Sequence, residues 1–254
     1  EVLRGLGLSP VDVSSVSVGA GAGPEAAART ARYEALDAAA AAHGARFVLL
    51  GHTLDDQAET VLLGLGRGSG PKSLAGMSPV SGSYLRPLLA IRRATTEAFC
   101  RDSSLDYWTD PQNSDPRFTR VKLRHEVLPL LEEALGGGVA EALARTANLL
   151  RADASALDQL AAELFAAEAQ VAATTVTLDC EALAKHPSAL SSRLIKLAIE
   201  TVGGQTSATA IDSVTALVLD WHGQKPLTLS GTRVERTGRS LVFRTTKTLK
   251  TGAC

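Results

Sequence analysis

Apolar and polar positions change period several times along this chain, and the changes mark its elements. Val11-Asp12-Val13-Ser14-Ser15-Val16-Ser17-Val18 alternates like a strand. Residues 19–23 read as a glycine-rich loop, and Pro24 suits a first helical position. A helix is predicted from residue 25 to about 42, stopped by His43-Gly44. The apolar run Phe47-Val48-Leu49-Leu50 reads as a buried parallel strand, and the Ala/Leu-rich pattern after it as a helix. This strand-helix-strand-helix order predicts an α/β fold, a Rossmann-like parallel sheet with helices on both faces. A shorter helix is expected over 95–103. Another begins at Asp115-Pro116 and reaches residue 135, bent or capped near Pro129.

Gly136-Gly137-Gly138 is the expected boundary between a domain of residues 1–135 and one of residues 139–254. Beyond it, residues 139 to about 169 form a long Ala/Leu pattern, and 187–202 and 209–221 read as two further helices. Short strands are expected at 174–179, 225–229, 232–236 and 240–244. The second domain should therefore be mainly helical with a small sheet. No internal repeat is evident.

Composition narrows the class. A chain of 254 residues suffices for one large or two ordinary domains. It is 45% hydrophobic but only 4% aromatic, so Ala, Leu and Val must build the core. No apolar run approaches the ~20 residues needed to cross a bilayer, and no segment reads as a signal peptide. Cys100, Cys180 and Cys254 are widely spaced and odd in number, against a disulfide framework or a zinc site. A cytoplasmic location without membrane attachment is expected. The net charge of −1 conceals a contrast: residues 139–224 carry five Lys/Arg against ten Asp/Glu, and residues 225–254 carry seven against one.

The densest chemistry lies in Gly51-His52-Thr53-Leu54-Asp55-Asp56-Gln57-Ala58-Glu59-Thr60. Thr53 fits an N-cap, with Asp56 three positions on as in a capping box. Strand, tight turn and helix N-terminus in that order form the edge where open α/β sheets bind ligands. His52, Asp55, Asp56 and Glu59 fall within about two helical turns. Such a cluster can hold a metal, orient an ammonium group or move protons. Equally, acidic residues in a first turn can serve the helix macrodipole alone.

Arg117, Arg120 and Arg124, spaced i, i+3, i+7, share one face of the expected helix and would bind phosphate. The bland reading is a solvated stripe paired with Asp115 or Glu126. Two glycine-rich strings mislead. Gly19-Ala20-Gly21-Ala22-Gly23-Pro24 lacks the third glycine of a dinucleotide fingerprint, and Pro71 in Gly66-Arg67-Gly68-Ser69-Gly70-Pro71-Lys72-Ser73 has no N–H for a phosphate. His43, His125, His186 and His222 are isolated and read as structural or surface residues.

Gly-His-x-x-Asp-Asp-Gln-x-Glu-Thr after a strand resembles the signature of the tRNA(Ile)-lysidine synthetases. Arg67-Gly68-Ser69-Gly70, Leu74-Ala75-Gly76-Met77, Arg86-Pro87-Leu88-Leu89, Trp108-Thr109-Asp110-Pro111-Gln112-Asn113 and Arg117-Phe118-Thr119-Arg120 with Arg124 are similar to that family's next segments, in its order. The resemblance covers about residues 25–135. It implies an adenine nucleotide alpha hydrolase-like fold and an ATP- and Mg2+-dependent ligation of free lysine to the wobble cytidine of tRNA(Ile).

The resemblance also implies roles for individual residues. His52, Asp55, Asp56 and Glu59 become catalytic, with Asp55 and Asp56 as candidate Mg2+ ligands. Arg67, Asp110, Asn113, Arg117, Arg120 and Arg124 become substrate or phosphate contacts. Arg233, Arg236, Arg239 and Arg244 become contacts to tRNA. A homodimer is admitted but not required. Two departures stand out: Val121 occupies a position where the family commonly has Asn, and its phosphate loop, Ser-Gly-Gly-x-Asp-Ser, has no counterpart in these residues. The chain opens past the point where that loop belongs, so these residues alone are expected to bind ATP poorly and form no lysidine. Another tRNA-modifying enzyme of the same ATP pyrophosphatase fold is the alternative, although a wobble-base thiolase would want a Cys-x-x-Cys pair that is absent. A non-catalytic RNA-binding module is the other.

Overall fold

The computed structural model describes residues 2–19, 24–68 and 70–246. Positions 20–23 of the predicted loop, Ser69, Lys247, Lys250 and Cys254 lie outside the described residues. The chain is mixed α/β and divides into two compact units, Glu1–Arg151 and Ala152–Cys254. The division falls inside a long helix rather than at Gly136-Gly137-Gly138, because the first turns of that helix pack into the first unit's core.

In the first unit, a single turn α1 (Val2–Gly5) leads into irregular chain. The strand expected at 11–18 does not form. Val13, Val16 and Val18 are 92%, 47% and 51% exposed, and no ladder joins the segment to another strand among the described residues. Alternation encodes a strand only where a sheet edge receives it. Helix α2 (Pro24–Ala42) starts on the proline and closes as a Schellman motif: Gly44 N–H donates to Ala41 O, Ala45 N–H donates to Ala40 O, and Gly44 holds φ +61°.

The expected parallel strand is β1 (Val48–Leu49), which leads through Gly51, His52 and Thr53 into α3 (Leu54–Gly66). A short turn, α4 (Pro71–Leu74), precedes the hairpin β2 (Val80–Ser81) and β3 (Tyr84–Leu85). The sheet order is β1-β3-β2, with β1 parallel to β3. Thus the parallel partner is the segment before Arg86-Pro87, not residues 11–18. Burial is uneven: Leu50 is buried, while Phe47 and Leu49 on this edge strand are exposed.

Helix α5 (Arg93–Asp102) begins two residues earlier than its periodicity suggests. A 3-10 turn (Pro111–Ser114), α6 (Thr119–Lys122), a π turn (Leu123–Val127) and α7 (Leu128–Ala134) follow. The wide π turn lies just before Pro129, which can neither donate a helical N–H nor fit against the preceding turn. Leu54, Ala58, Leu128, Ala140 and Ala144 make this unit's buried cluster, joining α3, α7 and the start of α8 (Val139–Glu168).

The second unit contains the end of α8, then β4 (Gln170–Val171), β5 (Thr175–Asp179), α9 (Cys180–Lys185), α10 (Ser188–Thr201), α11 (Ala208–Leu219), β6 (Leu227–Leu229), β7 (Thr232–Thr237) and β8 (Ser240–Thr245). The strands form one antiparallel sheet, β4-β5-β8-β7-β6. Its inner face (Val176, Leu178, Val234, Leu241, Phe243) packs on Leu194, Ile195 and Ile199 of α10 and Val214 and Leu217 of α11. This sheet is larger than expected, since β4 adds an edge strand that periodicity did not reveal. No helix among the described residues is long and apolar enough to cross a membrane.

Candidate functional site

The turn after β1 delivers the acidic residues to the N-terminus of α3, and each carboxylate there has partners. Asp56 Oδ2 accepts from the Thr53 backbone N–H at 2.8 Å and the Thr53 hydroxyl at 2.9 Å, so Asp56 caps its own helix. Asp55 Oδ2 accepts from the Arg93 backbone N–H at 2.7 Å, which caps the neighbouring α5. Glu59 is wholly buried.

Around them stand guanidinium groups from α5, α6 and the π turn. Arg93 Nη2 lies 2.7 Å from Asp56 Oδ1 and 3.6 Å from Glu59 Oε1. Arg124 Nε donates to Glu59 Oε1 at 2.8 Å, and its Nη2 lies 3.3 Å from Glu59 Oε2 and 3.4 Å from Asp56 Oδ1. Arg120 Nη1 donates to the Thr60 hydroxyl at 3.3 Å and lies 3.9 Å from Glu59 Oε2. Arg92 Nη1 lies 3.4 Å from Asp55 Oδ1, while its other nitrogens face Glu132 and Glu141. Three carboxylates therefore meet four guanidiniums. Burial raises the Asp56 carboxyl pKa, but Thr53, Arg93 and Arg124 outweigh it and hold it below the usual carboxylate range. Burial works against the charged Arg124 as well, yet its bond to Glu59 raises its pKa.

His52 occupies the other side of the turn. Its pKa is pushed down to about 4, first by burial, against the pull of Asp56 and helped by Arg86, Arg32 and Arg29. Its Nδ1 is buried and has no hydrogen-bond partner among the described residues. A group this weakly basic suits hydrogen bonding at neutral pH better than accepting a proton. Arg86 is nearly buried, donating from Nη1 to Ser78 O at 2.8 Å and from Nη2 to the Tyr33 hydroxyl at 3.4 Å. Arg29 and Arg32 lie over the Tyr33 ring, which meets Tyr84 edge-on.

Two further motifs meet beneath α3. Gln57 donates to Met77 O at 2.9 Å and accepts from the Met77 N–H at 2.7 Å. Gly76 has φ +60°, and a Cβ there would come within 2.7 Å of Gln57 Oε1, so only glycine fits the turn. Arg151 of α8 donates to Ala75 O and Met77 O, clamping the same loop.

The remaining predicted contacts are distributed differently. Arg117 precedes α6, is 86% exposed and pairs with Asp115 at 2.7 Å. It therefore leaves the face shared by Arg120 and Arg124. The helix expected there does form, from Thr119 through the π turn to Ala134, but it starts later than expected, so the arginine stripe loses Arg117 alone. Arg67 is exposed at the C-terminal cap of α3. Asn113 is exposed, its N–H donating to Asp110 O at 2.9 Å, and Asp110 is half-buried. Arg92 and Arg93 escaped the sequence reading. The signal was there, as paired arginines just before a helix that follows Arg86-Pro87-Leu88-Leu89.

The oxygens of Asp55 and Asp56 face backbone N–H groups, a hydroxyl and guanidiniums, so a Mg2+ ion on these carboxylates would have to take the place of a guanidinium.

In the second unit, Arg233 and Arg244 are directly paired across β7 and β8 on the exposed face, between Thr228 of β6 and Thr175 of β5. Arg244 also lies 3.5 Å from Glu235. Arg236 instead donates to Leu217 O and Val218 O at 2.8 and 3.1 Å, closing the end of α11, and stacks over Trp221. Arg239 pairs with Asp179 and Glu181.

The chain is similar to several known proteins. A family model described as a PP-loop domain matches residues 6–131. The tRNA(Ile)-lysidine synthase of Leifsonia xyli is 55% identical, with 94% of this chain and 73% of that protein covered. That of Streptomyces coelicolor is 53% identical, with 95% and 70% covered. That of Thermobifida fusca is 48% identical, with 91% and 72% covered.

Proposed function

The chain belongs to the tRNA(Ile)-lysidine synthase family of PP-loop, ATP-using enzymes, and from that membership we propose that it ligates free lysine to C2 of the wobble cytidine of tRNA(Ile). The cytidine C2 oxygen attacks the α-phosphorus of ATP, and pyrophosphate leaves. The lysine ε-nitrogen then bonds to C2, the C2–O bond breaks, AMP departs and the nitrogen gives up a proton. Mg2+ on the ATP phosphates, with Asp55 and Asp56 as its candidate carboxylates, is part of the proposal, as is action in the cytoplasm.

The observation that carries the site assignment is the buried Glu59 beside Asp56 at the sheet's carboxyl edge, where arginines from three elements converge. Thr53, Arg93 and Arg124 hold Asp56 below the usual carboxylate range, and guanidiniums face Glu59 beside it, an arrangement that suits a receptor for an ammonium group. Arg120 and Arg124 supply positive charge beside it, where charge on phosphate oxygens would be stabilised. Arg67, Asp110, Asn113 and Arg117 remain proposed contacts to ATP or RNA, and Arg233 and Arg244 proposed contacts to the tRNA backbone. The test is pyrophosphate exchange and transfer of radiolabelled lysine to tRNA(Ile) by the full-length protein. Exchange that ignores tRNA, or lysine that never reaches tRNA, would refute the reading.

A further inference from the structure

The carboxylate pair assigned to the substrate's ammonium group already holds cations. Arg93 Nη2 touches Asp56 Oδ1 and approaches Glu59 Oε1 from one side, at 2.7 and 3.6 Å. From the other, Arg124 binds both Glu59 oxygens and reaches Asp56. Asp56 keeps 19% of its side chain exposed but Glu59 has no exposed surface, so an ammonium group from solvent can bridge the two only by taking a place beside Glu59 that a guanidinium now holds.

The two arginines are not equivalent. Arg124 is anchored through two nitrogens to Glu59. Arg93 meets the pair through Nη2, keeps a quarter of its side chain exposed, and has its main chain fixed separately by Asp55. Its side chain can therefore swing outward without disturbing the start of α5. An incoming ammonium group brings the same charge and three donors to the vacated position. One cation replaces another, so the buried carboxylates are never left uncompensated, which would be the costly alternative.

We propose that Arg93 is a resident cation on the amine site, displaced from Asp56 and Glu59 by the primary ammonium group of the substrate. The proposal rests on the lysine reading above. Substrate affinity is then set by competition with an intramolecular group, and a ligand without a cationic amine cannot open the site.

The experiment compares the full-length parent with Arg93→Gln and Arg93→Lys, varying L-lysine in the transfer assay and following tRNA-dependent pyrophosphate exchange in parallel. Removing the competitor should lower the KM for lysine about tenfold if the open state is roughly a tenth populated, with the KM for ATP in exchange unchanged. Arg93→Lys should stay near the parent. A lysine KM that rises or holds still in Arg93→Gln overturns the proposal while leaving the functional reading in place. A parent that exchanges pyrophosphate but transfers no lysine takes both down. Should Arg93→Gln not fold, a structure of the parent with L-lysine decides. Arg93 Nη2 still bonded to Asp56, with the lysine nitrogen elsewhere, overturns the idea, and their exchange of places supports it.

Discussion

Arg124 Nε lies 2.8 Å from Glu59 Oε1, joining residues 65 positions apart in sequence at the one carboxylate of the cluster with no solvent contact. This pair ties the π turn to α3. Glu59→Gln keeps the shape but removes the charge that faces Arg124, Arg93 and Arg120. Breaking a buried pair by deleting one partner costs about 3–5 kcal/mol. Arg124 and Arg93 retain 22% and 25% exposure and can recover some hydration, so the lower end, about 3 kcal/mol, is expected. Urea denaturation measures it. A loss under about 1 kcal/mol would mean that the pair contributes no more than an exposed one.

Asp55 and Asp56 should separate on substitution. Asp55 accepts a backbone N–H at the start of α5, a task that Asn performs well. Asp55→Asn should therefore leave stability within about 1 kcal/mol and lysine transfer within about tenfold of the parent. Asp56→Asn puts a neutral amide where Arg93 and Arg124 meet, and lysine transfer should fall by roughly 10²-fold or more. Equal losses in the two variants would show that capping, rather than charge, explains both.

These two carboxylates also show how far the sequence could be read. The strand–turn–helix edge and the Thr53–Asp56 cap were legible because both depend on residues a few positions apart. The order of His52, Asp55, Asp56 and Glu59 pointed to the candidate site. Arg93 was not legible as part of it: its contact with Asp56 spans 37 positions and depends on how α5 docks, which periodicity does not encode. The same limit applies to Val11–Val18, whose alternation is real but finds no sheet edge, and to β3, two residues long and without a periodic signal. The arginine stripe lost Arg117 for a local reason. The helix starts at Thr119 rather than at Pro116, so Arg117 lies before it, while Arg120 and Arg124 stay on a helix that continues through the π turn.

The basic C-terminal strands divide by what each arginine touches. Arg236 closes α11 on Leu217 O and Val218 O, so Arg236→Ala should cost about 1–2 kcal/mol, with the salt dependence of tRNA binding unchanged. Arg233 and Arg244 sit opposite each other on an exposed face, where like charges repel unless an anion or acid intervenes. If that anion is an RNA phosphate, Arg233→Ala should flatten log K against log salt by about 0.7–0.9. A filter-binding salt series on the three proteins reads this directly. A flattened slope for Arg236→Ala and none for Arg233→Ala would reverse the assignment.

The pH dependence of stability should show His52 and Asp56 in separate windows. His52 has an ordinary value of 6.5 and a folded value of about 4, lowered first by burial and then by Arg86, Arg32 and Arg29 against Asp56. Between those values the unfolded chain binds the additional proton, so the His52 contribution to stability rises with pH across the window. On acidification it is lost from about 6.5 down to about 4 and is level below that. Asp56 behaves oppositely in origin. Its folded pKa lies below the ordinary 3.8, so its contribution is present above that value and lost as pH falls through the folded one. Urea midpoints of the parent and His52→Gln at half-unit steps from pH 7.5 to 4 isolate the histidine, since every other titrating group is common to both. The parent should lose ground relative to His52→Gln as pH falls from 6.5 toward 4. A difference that stays flat across this window would show that His52 titrates alike in the folded and unfolded chain, and that the buried Nδ1 is reached by solvent.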